Sequence, residues 1–240
     1  MHYWVGSFCR ARQDNRGDPF FPLGVTATCD IIKLVEDMGN QIPDKSWMLY
    51  LLELFNAQNI AMELNLICQF DSQDYFEAIF QGVNRYRFKE VLPHVGHSYS
   101  RMIIMDKENR RIRYTVTEKG TNNSETYDFS PTNFEYLGTN QFTGLEWWNK
   151  MGYFPYPVRY QAEIFQIMFG LGDRNDSESI TFMPYNTLIP NKDESDMKYP
   201  VSFQNIMLQD GCVCYSVQSG NCMNGMEYVI TASSCKRKNR

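Results

Sequence analysis

Alternation of apolar and polar residues is clearest in residues 99–118, where Ile112, Tyr114 and Val116 are interleaved with arginine and threonine. A period of two gives a strand one apolar face and one wetted face. The segment 106–109, with the sequence DKEN, supplies turn-forming residues. The pattern therefore predicts a β-hairpin over 99–118, followed by a turn at 120–125 and a further strand at 126–130.

Short apolar segments separated by turn-forming residues continue along the rest of the chain. Two of them, 29–39 and 46–56, are compatible with a strand or a helix, because a short apolar run has no decisive period. Near the C-terminus, Asp210-Gly211 is typical of a hairpin turn, while Pro155 and Pro157 indicate a loop or a sheet edge. Many short strands predict an all-β fold, with two antiparallel sheets packed as a jelly-roll sandwich. We expect a single domain over 1–240 with a short basic C-terminal tail at 236–240.

Composition and charge argue against some classes of binding partner. The 240-residue chain has a net charge of −5, and its only basic run is the tail, which argues against a nucleic-acid partner. No apolar stretch reaches the length of a membrane span. The first residues lack a signal-peptide pattern, so we expect a soluble protein that is secreted only if a signal has been removed.

The cysteines and histidines give little support for a metal. The seven cysteines include four within 212–235, but no CxxC pair occurs. Free thiols, one disulfide or a metal site all remain open, and free thiols are favoured. His94 and His97 are three residues apart, yet Pro93 and Gly96 argue against the helix that would align them. We expect no metal and no organic cofactor.

Glu63 is a charged residue within the apolar segment 59–70. If Ile60, Met62 and Leu64 pack into the core, then Glu63 shares the opposite face with Ala61 and Asn65. A carboxyl that is partly desolvated there has a raised pKa, which suits it to proton transfer. The alternative is a solvated glutamate on an outer sheet surface.

Glu146 directly precedes Trp147 and Trp148, which raises the same two alternatives. Packed rings would lower the local dielectric and offer a stacking surface. Two carboxyls on neighbouring strands can divide the work of hydrolysis, one as acid and the other as base toward water. This chemistry fits peptides and glycosides alike.

The order of several motifs resembles the glutamic peptidases of the eqolisin type, which are concanavalin-like β-sandwiches. The matching segments are YWVGSF with Trp4, SWMLYLL with Trp47, QNIAME over 58–63, and GLEWWNK with Glu146. The resemblance implies a peptidase-like hydrolase in which Glu146 acts as general base and Glu63 shares a proton with it. Trp4, Trp47, Trp147 and Gln58 would then bind a peptide substrate. Glu63 stands where the family has a glutamine, and LLELFNAQ at 51–58 replaces the family's acidic loop.

Two other functions are compatible with the same residues. A lectin-like sandwich would stack a carbohydrate or another flat ligand on its Trp and Tyr side chains, with the glutamates as hydrogen-bond acceptors. A small-molecule cyclase or isomerase would use the cleft as an apolar pocket rich in methionine and aromatic residues.

Overall fold

The computed structural model describes residues 2–10, 24–37, 39, 41–149, 159–172, 180–184, 188–191, 201–204, 215–222 and 225–231. The predicted proline loop at 155–157, the turn at 210–211 and the basic tail lie outside these residues. Within the described part, no helix has the length and apolarity needed to cross a membrane.

The first sheet contains seven strands among the described residues, in the order β13-β1-β10-β3-β4-β5-β6. The strands of this sheet are β1 (His2–Arg10), β3 (Ser46–Asn56), β4 (Ala61–Gln69), β5 (Tyr75–Phe80), β6 (Asn84–Arg87), β10 (Gly138–Asn149) and β13 (Leu188–Asn191). Neighbouring strands run antiparallel.

The second sheet contains nine strands among the described residues, in the order β14-β16-β15-β11-β2-β7-β8-β9, with β12 paired to β11. The strands of this sheet are β2 (Val25–Asp37), β7 (Ser98–Asp106), β8 (Arg111–Glu118), β9 (Ser124–Phe129), β11 (Tyr160–Gly172), β12 (Thr181–Pro184), β14 (Val201–Gln204), β15 (Tyr215–Cys222) and β16 (Gly225–Thr231). The pair of β14 with β16 is parallel, unlike the pairs around it. The predicted antiparallel two-sheet sandwich is confirmed, and so is the hairpin, as β7 and β8.

The two segments with an ambiguous period, 29–39 and 46–56, both contribute to central strands. The segment 46–56 is β3, and most of 29–39 lies in β2. Their apolar runs lacked clean alternation because residues on both faces of these strands are buried. Alternate residues such as Met48 and Ile32 belong to the main core between the sheets.

A buried ion pair joins the two sheets through the core. Asp30 of β2 and Arg101 of β7 are opposite each other in register, and their side chains are fully buried. The guanidinium donates to both carboxylate oxygens, at 2.9 and 2.5 Å. It also donates to the backbone carbonyls of Tyr50, Leu51 and Leu64 in the first sheet, at 2.6, 3.3 and 3.1 Å. One side chain of the second sheet therefore fixes the position of β3 and β4.

Stacked tyrosines connect the ends of the two sheets. The rings of Tyr86 on β6 and Tyr127 on β9 lie 4.2 Å apart with an interplanar angle of 2°. Tyr86 also donates its hydroxyl to Glu125, which accepts the backbone N–H groups of Lys89 and Glu90. The strand β6 is thereby held against β9 across the end of the sandwich.

Arg101→Met is expected to lower the free energy of unfolding by about 3–5 kcal/mol, because it leaves the buried Asp30 charge and three carbonyls without their donor. Urea denaturation measures this loss. The matched control is Arg113→Met, which breaks a partly exposed pair with Asp128 and should cost no more than about 1 kcal/mol. Equal small losses in both variants would contradict the role given to Arg101.

Candidate active site

The first sheet has a second face, pointing away from the main core, which we call the outer face. Its side chains are set by the period of two and by the register of β3, β4, β5 and β10. The outer face comprises Trp47, Leu49, Leu51, Glu53, Phe55, Ala61, Glu63, Asn65, Ile67, Gln69, Tyr75, Glu77, Ile79, Phe142, Gly144, Glu146 and Trp148.

Apolar side chains occupy the middle of the outer face. Leu49, Leu51, Ile67, Tyr75 and Phe142 form a second buried cluster, separate from the main core. Two partly buried side chains, Trp47 and Phe55, pack against it. The ring of Trp47 also lies 4.7 Å from that of Trp148, which remains 37% exposed. The outer face therefore presents a partly exposed tryptophan ring next to a buried apolar cluster.

Two glutamates lie directly opposite each other at one end of this cluster. Glu53 of β3 pairs in register with Glu63 of β4, which sets their Cβ atoms about 5 Å apart. Two carboxylates at that separation repel each other, so the pair retains a proton. Glu53 and Glu63 thus form a carboxyl pair that can hold and release one proton.

The surroundings of the carboxyl pair raise both pKa values. Burial, followed by the negative charges of Glu63 and Glu146, raises the pKa of Glu53 well above its usual range. Burial and the charge of Glu146 raise the pKa of Glu63 to about 7. A hydrogen bond of 2.8 Å from Asn65 Nδ2 to Glu63 Oε2 acts in the opposite direction. Glu63 is therefore suited to exchange a proton near neutral pH.

Asn65 orients the Glu63 carboxyl. Its side chain is completely buried, and its Oδ1 accepts the backbone N–H of Leu52 at 3.4 Å while its Nδ2 donates to Glu63. The amide is thus anchored to β3 and directs one carboxyl oxygen of β4. The prediction that Glu63 shares a face with Asn65, opposite Met62 and Leu64, is confirmed.

Glu146 lies on the same face but at a different level of the sheet. It pairs with Leu49, whereas Glu53 pairs with Phe142, an offset of four residues or about 13 Å along the strand. Its charge nevertheless raises the pKa of both Glu53 and Glu63. The three carboxyls therefore form one electrostatic cluster, although Glu53 is the register partner of Glu63 and Glu146 is not.

An ion pair borders the carboxyl cluster on β5. Arg85 donates to Glu77 at 2.8 Å. Burial raises the pKa of Glu77, while Arg85 lowers it. The guanidinium also lowers the pKa of Glu63, so Arg85 limits how far the cluster retains protons.

The other predicted site residues have different positions. Trp4 on β1 pairs with Glu146, and Trp147 pairs with Met48, but the side chains of both tryptophans lie outside the described part. Gln58 is exposed in the turn between β3 and β4, where its Oε1 accepts the backbone N–H of Glu135 at 3.2 Å. The roles of these residues in substrate binding stay predictions.

The histidine and the cysteines described below, which were considered as metal ligands, have other surroundings. His97 Nδ1 is hydrogen-bonded to Glu118, and this bond is the largest cause of a lowered pKa at that carboxyl. Cys29 and Cys68 are buried free thiols. Among the described residues, no group of three or more His, Cys, Asp and Glu side chains could hold a metal ion.

Glu53 is not among the site residues predicted from the sequence, although the alternation in its strand marks it as a charged residue on an otherwise apolar face. In SWMLYLLELFN, the residues Trp47, Leu49, Leu51, Glu53 and Phe55 occupy alternate positions. The glutamate is the one charge in that series, as Glu63 is in its own strand. Only the register, which depends on the whole sheet, shows that the two glutamates meet.

Comparison with known proteins gives matches among solved structures alone. No protein-family model matches the chain, and no curated protein matches it. Among solved structures, scytalido-glutamic peptidase with a transition-state analogue inhibitor is similar at 10% identity and a TM-score of 0.48, covering 77% of this chain and 88% of that one.

Two further solved structures have lower scores. The CBM2 module of the evolved Dit protein from Lactobacillus casei BL23 phage J-1 has 10% identity and a TM-score of 0.39, covering 58% of this chain and 64% of that one. A lectin from Bauhinia forficata in complex with GalNAc has 8% identity and a TM-score of 0.33, covering 61% of this chain and 90% of that one.

The stability of the protein should fall as Glu63 ionises. Its folded-state pKa of about 7 is above the ordinary value of 4.5, so its stabilising contribution is complete below about pH 4.5 and is lost toward pH 7. Between pH 4.5 and pH 7 the free energy of unfolding should fall further in the wild type than in Glu63→Gln, by on the order of 1–3 kcal/mol. Urea denaturation at several pH values measures the difference. The control is Glu108→Gln, in the exposed β7–β8 turn; its free energy of unfolding should depend on pH as that of the wild type does. Parallel curves for the wild type and Glu63→Gln would contradict the raised pKa of Glu63.

Proposed function

We propose that the protein is a hydrolase that resembles a glutamic peptidase, with its carboxyl cluster activating water at the aromatic outer face. The observation that carries this proposal is the in-register pair of Glu53 and Glu63, with the charge of Glu146 acting on both. Glu53 keeps its proton and Glu63 carries the exchangeable one below about pH 7, so the pair supplies the acid and the neighbouring Glu146 supplies the base.

The hydrolysis of a peptide bond requires a proton to be taken from water and given to the leaving amine. We assign the first role to Glu146, which accepts the proton as the water oxygen attacks the carbonyl carbon. Glu63 donates its proton to the nitrogen as the C–N bond breaks, giving a carboxylic acid and an amine. Glu53 keeps its own proton and positions Glu63 through the pairing of β3 with β4. Proton exchange between the carboxyls then restores the starting state.

The partly exposed rings of Trp47 and Trp148 favour a substrate with an apolar or aromatic side chain. The cluster residues Leu49, Leu51 and Ile67 lie between the level of the carboxyl pair and these rings. They are only 1–8% exposed, so they support the sheet while the rings contact the substrate. From Glu53 to Trp47 the strand covers about 20 Å. An extended peptide of about six residues has that length, so we expect an unfolded polypeptide as the substrate.

Binding without turnover is the second candidate function. One observation favours it: Trp148 is partly exposed next to Trp47, an arrangement that would also stack a carbohydrate ring. In this case the glutamates accept hydrogen bonds, and their replacement by glutamine changes affinity without any product being formed.

Glu63→Gln and Glu146→Gln are each expected to lower the cleavage of an unfolded, carboxymethylated protein by about 100-fold or more, since each removes one proton-transfer group. Newly formed N-termini, counted by mass spectrometry, measure cleavage. In the wild type, activity should fall as the pH rises through about 7, because Glu63 must be protonated to act as the acid.

Glu108→Gln, in an exposed turn of the second sheet, is the matched control and should retain wild-type turnover. Unchanged turnover in both the Glu63 and Glu146 variants would contradict the proposal. A wild type that binds a glycan on the outer face and cleaves no polypeptide at any pH would support the second candidate.

A further inference from the structure

A polar cleft lies at the end of the first sheet, beyond the tryptophan rings. It has a volume of about 560 Å³, within the range of about 300–1,000 Å³ typical of ligand sites. Residues of the β2–β3 connection, of the β4–β5 connection and Arg159, directly before β11, line it. None of the carboxyl groups assigned to hydrolysis belongs to its lining.

The walls of the cleft are fixed by contacts behind them. Asp74 is buried and accepts the hydroxyl of Tyr160 at 2.5 Å. The guanidinium of Arg87 donates to the backbone carbonyl of Gln73 at 3.4 Å and lies 3.9 Å from the centre of the Tyr75 ring. The β4–β5 connection is thereby anchored at two successive residues, so the cleft is formed before any ligand enters.

The lining combines three side-chain amides with the Ser72 hydroxyl and with the charged groups of Asp71, Asp74 and Arg159. Gln41, Gln69 and Gln73 contribute side-chain amides, and each amide offers two donor hydrogens and an acceptor oxygen. Gln69 uses one donor on the hydroxyl of Tyr75, at 2.6 Å. A ligand with many hydroxyl groups matches such a set, because each hydroxyl both donates and accepts.

Arg159, the one cation among the described residues of the lining, is already paired. Arg159 lies 2.8 Å from a carboxylate oxygen of Asp37 and 3.7 Å from one of Asp74. An anionic ligand would have to compete with these two carboxylates for the guanidinium. Asp71 adds a further carboxylate to the lining, so the charges of the cleft disfavour an anionic ligand, and its amides and Ser72 hydroxyl offer hydrogen bonds to a neutral one.

An exposed aromatic ring also lines the cleft. Phe70, at the start of the β4–β5 connection, is 47% exposed. Next to it, Gln69 pairs in register with Trp47, whose ring contacts Trp148. The C–H face of a sugar ring packs on such rings while its hydroxyls bond to polar groups beside them.

We propose that this cleft is a binding site for a neutral saccharide, held by the glutamine amides and Asp74 with a sugar ring against Phe70. The site is separate from the carboxyl cluster and does not rest on the hydrolase proposal. It would bind a glycan whether or not the outer face cleaves a polypeptide.

The test is ligand-observed NMR and calorimetry on the full chain, with maltose, cellobiose, lactose and N,N′-diacetylchitobiose as probes. At least one disaccharide should bind at millimolar concentration. Phe70→Leu, which keeps an apolar side chain but removes the ring, should weaken binding about tenfold, and Gln73→Ala should weaken it similarly. Phe70→Tyr keeps the ring and should bind as the wild type does.

Two matched controls separate this site from the rest of the molecule. Val83→Ala changes an exposed apolar residue in the β5–β6 turn, and Glu108→Gln changes an exposed carboxyl in the β7–β8 turn; neither should alter saccharide binding. The proposal is overturned if no probe binds, or if the Phe70→Leu and Gln73→Ala variants bind as the wild type does. Saturation of the cleft by the uncharged peptide acetyl-trialanine amide, without binding of any disaccharide, would assign it to peptides instead.

Discussion

The buried pair of Asp30 and Arg101 determines how the two sheets are aligned. A guanidinium in the core is tolerable only when its donors and charge are satisfied, and here the partners come from both layers. Because Arg101 bonds to carbonyls of β3 and β4, these strands cannot slide relative to β7 without breaking several bonds. The same two strands carry Glu53 and Glu63, so the geometry of the carboxyl pair depends on an interaction within the core on the opposite side of the sheet.

Burial on both faces of β3 explains the electrostatics of the outer face. A sheet with one solvated face would leave alternate glutamates in water, with ordinary pKa values. In this protein Leu51 and Asn65 are buried on the outer face next to the glutamates. The carboxyls are therefore partly desolvated and close to one another, and neutralising part of their charge with protons is less costly than keeping all of them ionised.

Fold class could be predicted from local sequence, whereas the site could be predicted only in part. Alternation in 99–118 and turn-forming residues between short apolar runs are local signals, and they predicted the β7–β8 hairpin and the sandwich correctly. The predicted face of Glu63 followed from the same period of two. Its pairing with Glu53 depends on the hairpin register, and the coupling to Glu146 depends on the order of β10, β3 and β4. Neither can be read from a short segment of sequence, because a shift of one residue in the register of a strand would turn each of its side chains to the opposite face.

The short strand β6 has a consequence for association between molecules. A sheet edge presents unpaired backbone N–H and C=O groups, to which a strand of another chain can hydrogen-bond. This edge is only four residues long and carries Arg85 and Arg87. A second copy meeting this edge would gain only a short ladder of hydrogen bonds and would have to accommodate two arginines that are already held by Glu77 and by the Gln73 carbonyl. The arginines that border the acidic face thus also protect this side of the sandwich from polymerising.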